Sequence, residues 1–181
     1  MSRASWILAL ALAVPSIASA QSAPSTKGAG DVGITMGYPV GIGLLWHATD
    51  DIALRPEFTF GWTTSESDFA GDALDRSITS ISFGASGLFY LTRDEALRTY
   101  VSPRVVWSHQ SSDNSSLDSD GLAVSGAFGA QYQLSGRFGV FGEIGVQYSH
   151  SSSDSTLSII SATTTSDSWG PRTAIGAVLY F

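Results

Sequence analysis

The chain has 181 residues, which suits one domain, and it carries 9 Lys and Arg against 16 Asp and Glu, a net charge of −7. The negative charge argues against a nucleic-acid partner, and the absence of cysteine excludes disulfides and thiolate metal sites. Charged residues make up only 14%, below the usual value of about 25%, yet mean hydropathy is +0.13. Beyond the N-terminal region no segment approaches the roughly 18 apolar residues of a spanning helix, so apolar and polar residues are expected to alternate.

The N-terminus has the pattern of an export signal. Arg3 precedes an apolar run at residues 6–14, and Ala18-Ser19-Ala20 is a small-x-small cleavage site. We therefore expect a signal peptide over residues 1–20, cleaved near Ala20. The polar residues 21–30, rich in small side chains, predict a flexible leader, and the domain is expected to occupy residues 31–181.

From residue 31 onward, apolar and polar residues alternate with the period of two that is typical of β-strands. The predicted strands are 31–38, 40–48, 52–63, 79–91, 97–109, 122–134, 138–150 and 169–181. Short turns near residues 49–51, 92–96 and 135–137 alternate with long Ser-, Thr- and Asp-rich loops at 65–76, 111–120 and 151–168. This order predicts four hairpins, because each interval between short turns holds two long strands and one polar loop.

The composition of the two strand faces predicts the environment of the sheet. The polar face is mostly Gly, Ser, Ala, Thr and Gln, which suits a crowded lumen better than a solvated exterior. On the apolar face an aromatic residue lies ten positions after the first residue of the third, fifth and seventh strands, a distance of roughly 25 Å for strands tilted by about 40°. A fourth lies twelve positions before Phe181 and is expected at the same rim. These residues are Trp62, Trp107, Tyr148 and Trp169. We predict an all-β fold, an eight-stranded antiparallel up-and-down transmembrane β-barrel with these four residues in an aromatic girdle.

Two stretches carry a resemblance to a known family. The chain ends on Gly176-Ala177-Val178-Leu179-Tyr180-Phe181, and residues 126–132 read Gly-Ala-Phe-Gly-Ala-Gln-Tyr. Residues 30–181 resemble the small eight-stranded outer-membrane β-barrels, the family that includes the OmpA transmembrane domain and OmpX.

The resemblance implies a cell outer membrane location and an assembly signal formed by Gly176, Leu179 and Phe181. It also implies contact with outer-membrane lipids, with lipopolysaccharide and with the barrel-assembly machinery, in a chain that is a monomer and uses no cofactor. The even strand count would place both barrel termini on the periplasmic side and the long loops outside.

Charge on the polar face is the sharpest internal feature. Its members are Arg55, Glu57, Arg104, Glu143 and Arg172. Eight strands leave an interior just wide enough for side chains, so buried charges there must pair or find water. Two interpretations stay open: a structural plug of ion pairs in a closed barrel, or a gate whose rearrangement opens a narrow conductance.

Catalytic and metal-binding interpretations have weaker support. His109-Gln110-Ser111 and His150-Ser151-Ser152 place an imidazole and a hydroxyl on one strand face, but serine is so frequent here that this spacing is expected by chance. Glu143 precedes His150 by an odd number of residues and so lies on the opposite face, out of reach as an orienting group. His47, His109 and His150 show no metal-ligand spacing, and we predict no catalytic residue and no metal site.

The acidic residues of the predicted long loops allow a surface hypothesis. They form a solvated face or bind divalent cations shared with lipopolysaccharide phosphates. They are Glu66, Asp68, Asp72, Asp75, Asp113, Asp118 and Asp120.

The sequence thus predicts a structural or surface-interaction protein of the outer membrane with a closed polar lumen and no enzymatic activity. The alternative is a narrow channel for ions or small solutes, gated by the lumen charges. A lipid A-modifying enzyme and a soluble lipocalin-like barrel are less favoured.

Overall fold

The computed structural model describes residues 27–69, 72–92, 94, 96–112, 117–157 and 160–181. The predicted signal peptide and most of the predicted leader lie outside these ranges, as does Asp113. No helix within the ranges combines the length and the apolar character that crossing a membrane requires.

Eight antiparallel strands form a single sheet. They are β1 (Val32–Tyr38), β2 (Gly41–His47), β3 (Ile52–Phe69), β4 (Asp72–Tyr90), β5 (Leu97–Ser112), β6 (Leu117–Gln133), β7 (Phe138–Leu157) and β8 (Ile160–Tyr180). Each strand pairs with the next along the chain, and β8 pairs with β1, so the sheet closes into a barrel. The predicted fold class is confirmed.

The last strand closes the barrel by pairing with the first. Residues 175–180 of β8 pair with residues 33–38 of β1, with Tyr180 opposite Gly33 and Val178 opposite Thr35. The partners of Thr35, followed through β2 to β7, lead to Ser168 on β8, ten residues from Val178. This offset is a shear number of ten, which for eight strands requires a tilt of about 40°.

The strands turn their apolar face outward and their polar face inward. Met36, Phe60 and Ile144 are each more than 60% exposed, whereas Arg55, Ser102 and Glu143 are at most 5% exposed. A lipocalin-like soluble barrel would show the opposite arrangement. The few apolar side chains inside, such as Leu45 and Leu88, lie near the short turns.

The sequence-based prediction of long loops was wrong. The β3–β4 ladder continues to Phe69 opposite Asp72, and the β7–β8 ladder to Leu157 opposite Ile160. β5 and β6 likewise extend to Ser112 and from Leu117. Serine and threonine can form a hairpin whose two faces both contact water, because the ladder is made by backbone hydrogen bonds. The β-branched threonine also favours a strand. We call this side of the barrel the hairpin end, and the side with the short turns the turn end.

The wall of the barrel has a notch beside the first hairpin. β1 and β2 have seven residues each, whereas the other strands have 16 to 21. The β1–β2 turn ends at Gly41, whose φ of +78° and close approach to the Phe58 carbonyl require glycine. Towards the hairpin end, β3 no longer pairs with β2 beyond Phe58, and β8 no longer pairs with β1 beyond Ile175. No ladder joins β3 to β8 in the described strands.

Candidate functional site in the lumen

The structure brings the five predicted lumen charges into one ion cluster, formed by Arg55, Glu57, Arg104, Glu143 and Arg172. Arg55 bridges both glutamates, with Nε 2.7 Å from Glu57 Oε1 and Nη2 2.6 Å from Glu143 Oε1. Arg104 Nε lies 2.7 Å from Glu57 Oε2, and Arg172 Nη1 lies 2.7 Å from Glu143 Oε2. Both glutamate side chains are at most 1% exposed, so the cluster fills the lumen at its level.

The strand register explains this meeting. Arg55, Ser86 and Arg104 lie side by side on β3, β4 and β5. Ser86 donates its hydroxyl to Glu57 Oε1 at 3.1 Å. Glu143 approaches from β7 and accepts a further hydrogen bond of 3.0 Å from the Tyr100 hydroxyl on β5. The cluster therefore ties β3, β4, β5, β7 and β8 together through the interior.

The ion cluster is rich in donors and carries excess positive charge. It contains three guanidinium groups and two carboxylates. Among its described atoms, Arg172 Nε and Nη2 are buried without a hydrogen-bond partner. Arg104 contacts Glu57 through Nε. Such a site favours an additional acceptor, because unpaired buried donors are costly.

A second layer, which the sequence analysis did not assign to the site, closes the lumen nearer the turn end. This lower layer consists of His47, Tyr90, Arg98, Gln131 and Tyr180, all at most 7% exposed. His47 stacks on Tyr90 with ring centroids 5.4 Å apart, and its Nε2 is 3.2 Å from the Tyr180 hydroxyl. Gln131 Nε2 donates to that hydroxyl at 2.8 Å. The sequence alone could have placed Arg98 in the lumen, because an even spacing puts it on the same strand face as Arg104. No feature of the sequence indicates which residues it contacts.

Residues 27–30, the last four of the predicted leader, pack against the turn end. Arg98 donates to the carbonyl oxygens of Lys27 at 2.9 Å and Asp50 at 2.5 Å. Lys27 Nζ lies 4.7 Å above the Tyr180 ring. Gly30 N donates to the His47 carbonyl at 2.8 Å. The Lys27 and Asp50 carbonyl groups therefore supply acceptors for the buried Arg98 guanidinium.

A cavity of about 340 Å³, which we call the vestibule, lies above the ion cluster towards the hairpin end. Arg104 is the charged cluster residue that lines it, and its walls include Thr59, Ser82, Ser108 and Gln147. Pro39 also lines the vestibule, which places the notch in its wall. The lumen is therefore filled over its lower part and open over its upper part.

The four residues of the predicted girdle lie on the outer surface. Trp62, Trp107 and Trp169 are 68%, 44% and 76% exposed. Tyr148 pairs with Trp169, and their ring centroids are 5.1 Å apart. Beyond the aromatic residue each strand continues mostly with serine, threonine, histidine, glutamine and acidic residues, so the four girdle residues mark where the apolar belt ends.

The residues of the predicted assembly signal lie in the closing seam. Gly176 pairs with Gly37 of β1, where its missing side chain makes room for the Phe141 ring. Leu179 and Phe181 point outward and are 52% and 71% exposed. The Phe181 backbone N–H donates to the Val32 carbonyl.

The structure does not gather the three histidines. His47 lies in the lower layer, whereas His109 and His150 lie on the outer surface near the hairpin end. His109 Nδ1 is 3.1 Å from Asp120 Oδ1, and His150 Nδ1 is 2.7 Å from Asp167 Oδ1. In the described ranges no three histidine or acidic residues converge in a group able to hold a metal ion.

The predicted acidic loop residues are only partly described. Asp118 and Asp120 are exposed on β6. The side chains of Glu66, Asp68, Asp72 and Asp75 lie outside the described part, so the divalent-cation hypothesis stays a prediction.

No protein-family model matches the chain, and comparison with curated proteins finds no match. Solved structures do resemble it. Acinetobacter baumannii CarO matches with a TM-score of 0.44 and 15% identity over 84% of this chain and 98% of that one. A. baumannii CarO2 matches with a TM-score of 0.45 and 13% identity over 86% and 100%. The N-terminal β-barrel domain of Pseudomonas aeruginosa OprF matches with a TM-score of 0.40 and 15% identity over 86% and 100%.

Proposed function

We propose that the chain is an integral protein of the bacterial outer membrane with a structural or surface-interaction role and a closed lumen. The observation that carries this proposal is the inverted barrel, with a continuous apolar belt outside and buried ion pairs inside. Water would not tolerate so large an exposed apolar surface, whereas lipid would. In this proposal the turn end faces the periplasm, and lipids and lipopolysaccharide surround the belt of a monomer that the barrel-assembly machinery inserts.

The closed lumen rests on two filled levels. The ion cluster blocks the centre, and the lower layer with residues 27–30 blocks the turn end. His109 and His150 each contact an aspartate, Asp120 and Asp167, in exposed pairs near the hairpin end. Among the described hydrogen bonds neither imidazole has a hydroxyl partner, which supports the non-enzymatic proposal.

Fractionation and bilayer recording test the proposal together. The protein is expected in the outer-membrane fraction, resistant to extraction by carbonate, and the purified barrel is expected to leave a planar bilayer non-conducting. Recovery in the periplasmic soluble fraction would contradict the membrane assignment. A change in lipid A mass on expression, lost on His109→Ala or His150→Ala, would contradict the non-enzymatic role.

A narrow channel is the second candidate, because the open vestibule leads directly onto the ion cluster. Conduction would require the Arg55 pairs with Glu57 and Glu143 to exchange partners. Single-channel recording of wild type, Glu57→Gln and Glu143→Gln tests this. Current steps in the wild type that change in either variant would favour the channel over the closed barrel, while Asp94→Asn in an exposed turn serves as the control.

A further inference from the structure

We propose that the floor of the vestibule is a binding site for a phosphate group, held by Arg104 and carried either by a free solute or by a lipid headgroup. This inference goes beyond the structural role proposed above and does not depend on whether the lumen conducts.

The ion cluster has a net positive charge. Three guanidinium groups face two carboxylates, so one positive charge is not neutralised within the cluster. Glu57 and Glu143 are each already held by two arginines and one hydroxyl. The described cluster therefore has no free carboxylate to offer, and an anion is the species that would complete it.

Arg104 lies where the ion cluster meets the vestibule. Its side chain is 10% exposed, against 1% for Arg55 and 4% for Arg172, so it is the cluster arginine with most access to the vestibule. Its Nε is committed to Glu57, which holds the guanidinium plane in place. The two Nη groups then remain for a bidentate contact, the geometry that guanidinium uses with phosphate.

The walls fit an oxyanion that carries oxygen atoms rather than an apolar ligand. Thr59, Ser82 and Ser108 contribute hydroxyls, and Gln147 contributes an amide. The cavity has a volume of about 340 Å³. One water occupies about 30 Å³ in the liquid, so the cavity has room for a phosphate group, which is only a few times larger than a water. A phosphate therefore fits with part of its carrier molecule or with accompanying water.

The notch gives the site two routes of access. A free solute enters from the hairpin end, through the open upper lumen. A lipid headgroup reaches the same floor sideways, past Pro39, where β1 ends, β2 begins and the described parts of β3 and β8 share no ladder. The two sources share one chemistry, a phosphate placed against the Nη groups of Arg104.

Isothermal titration of the full-length barrel in detergent micelles tests the site. Sodium phosphate is titrated at constant ionic strength, with sodium chloride as the reference anion. We expect saturable phosphate binding, weakened about tenfold or more by Arg104→Gln, since that change removes a charge-assisted bidentate contact. Arg137→Gln, in the exposed turn at the opposite end, is expected to leave the affinity unchanged.

A second variant guards against a folding defect in Arg104→Gln. Ala123→Phe fills the vestibule from its wall without removing a charge, and it should also abolish binding while circular dichroism stays native. Competition by phosphatidylglycerol in the micelles would assign the headgroup as the source, and its absence would assign a free phosphate. No saturable binding in the wild type, or an unchanged affinity in either variant, overturns the proposal.

Discussion

At the residue scale, the Glu143 carboxylate on β7 joins three other strands. It accepts hydrogen bonds from Arg55 on β3, Tyr100 on β5 and Arg172 on β8, at distances between 2.6 and 3.0 Å. A charge so enclosed is stabilised by its partners and not by water. Its loss would leave three arginines with Glu57 as the one remaining carboxylate of the cluster, and that carboxylate contacts Arg55 and Arg104 but not Arg172.

We predict that Glu143→Gln lowers the free energy of unfolding by about 3 kcal/mol, because removal of one partner leaves buried charge uncompensated. Urea titration of the barrel in lipid vesicles, followed by tryptophan fluorescence, measures the change. Asp94→Asn, in an exposed turn, should alter stability by less than about 0.5 kcal/mol. Equal midpoints for the two variants would show that the cluster does not hold the strands together.

Strand periodicity predicts which charged residues enter the lumen but not which of them pair. Alternation with a period of two assigns Arg55, Arg104 and Glu143 to the inner face. The bond between Arg55 and Glu143 spans 88 residues, and it depends on the shear of the barrel. Strand periodicity repeats every two residues whatever the shear, so it contains no information about which residues meet across the lumen.

At the element scale, two glycines of β6, Gly126 and Gly129, differ in the space around them. A Cβ on Gly129 would collide with the ring of Tyr100, which donates to Glu143. Gly126, three residues earlier and on the outer face, has no heavy atom within 4 Å of the same position. Of these two glycines, Gly129 alone is required by packing.

We predict that Gly129→Ala destabilises the barrel by about 1–3 kcal/mol, the usual range for overpacking a filled interior. Gly126→Ala on the same strand should be neutral or slightly stabilising, because alanine restricts the unfolded chain more than glycine does. Thermal unfolding in one detergent compares the two. A loss of stability in Gly126→Ala as large as in Gly129→Ala would contradict the packing argument.

The paired extensions of the strands place a titrating group beyond the apolar belt. Asp167, two residues from Trp169 towards the hairpin end, accepts a 2.6 Å hydrogen bond from the Tyr148 hydroxyl and lies 2.7 Å from His150 Nδ1. The Tyr148 hydrogen bond, with a smaller contribution from His150, holds the pKa of Asp167 below its ordinary value of 3.8. The contact therefore stabilises the hairpin above that value and is lost as the pH falls through the lowered pKa.

We predict that Tyr148→Phe raises the pKa of Asp167 towards its ordinary value, and that His150→Ala does so too. Carboxyl chemical shifts followed through an acid titration measure both. Tyr132→Phe, on the outer face at the other end of the barrel, should leave the Asp167 titration unchanged. An Asp167 titration unaltered by Tyr148→Phe would refute the contact.

The extended hairpins also show where sequence reasoning failed for elements. Runs of Ser, Thr and Asp lack the apolar alternation that marks a half-buried strand, so residues 65–76 and 151–168 were predicted as loops. Outside the apolar belt both faces of a hairpin meet water, and the alternation has no reason to persist. The backbone ladder continues from the strands below it, a feature that side-chain periodicity does not encode.

At the scale of the whole molecule, closure depends on a short seam. Six residue pairs join β1 to β8, whereas twenty join β7 to β8. Phe181 adds only a backbone hydrogen bond to this seam, and its side chain is exposed. Its contribution is therefore expected during insertion and not in the finished barrel.

We predict that Phe181→Ala lowers the amount of folded protein in the outer membrane several-fold, while the unfolding free energy of the purified barrel changes by less than about 1 kcal/mol. Quantitative immunoblotting of membrane fractions and urea titration measure the two quantities. Phe138→Ala removes an exposed phenylalanine at the same end and should not reduce assembly. A parallel loss of assembly in both variants would show that general apolarity, rather than the terminal residue, is recognised.

The notch makes the hydrophobic height of the barrel uneven around its circumference. Seven-residue strands tilted by about 40° span about 18 Å, against roughly 25 Å between the girdle and the turn end on the opposite side. A bilayer of uniform thickness does not match both sides at once, so the hydrophobic mismatch must be relieved by local thinning beside β1 and β2 or by inclination of the barrel axis. In a bilayer, the protein would therefore either thin the membrane beside its shortest hairpin or incline within it.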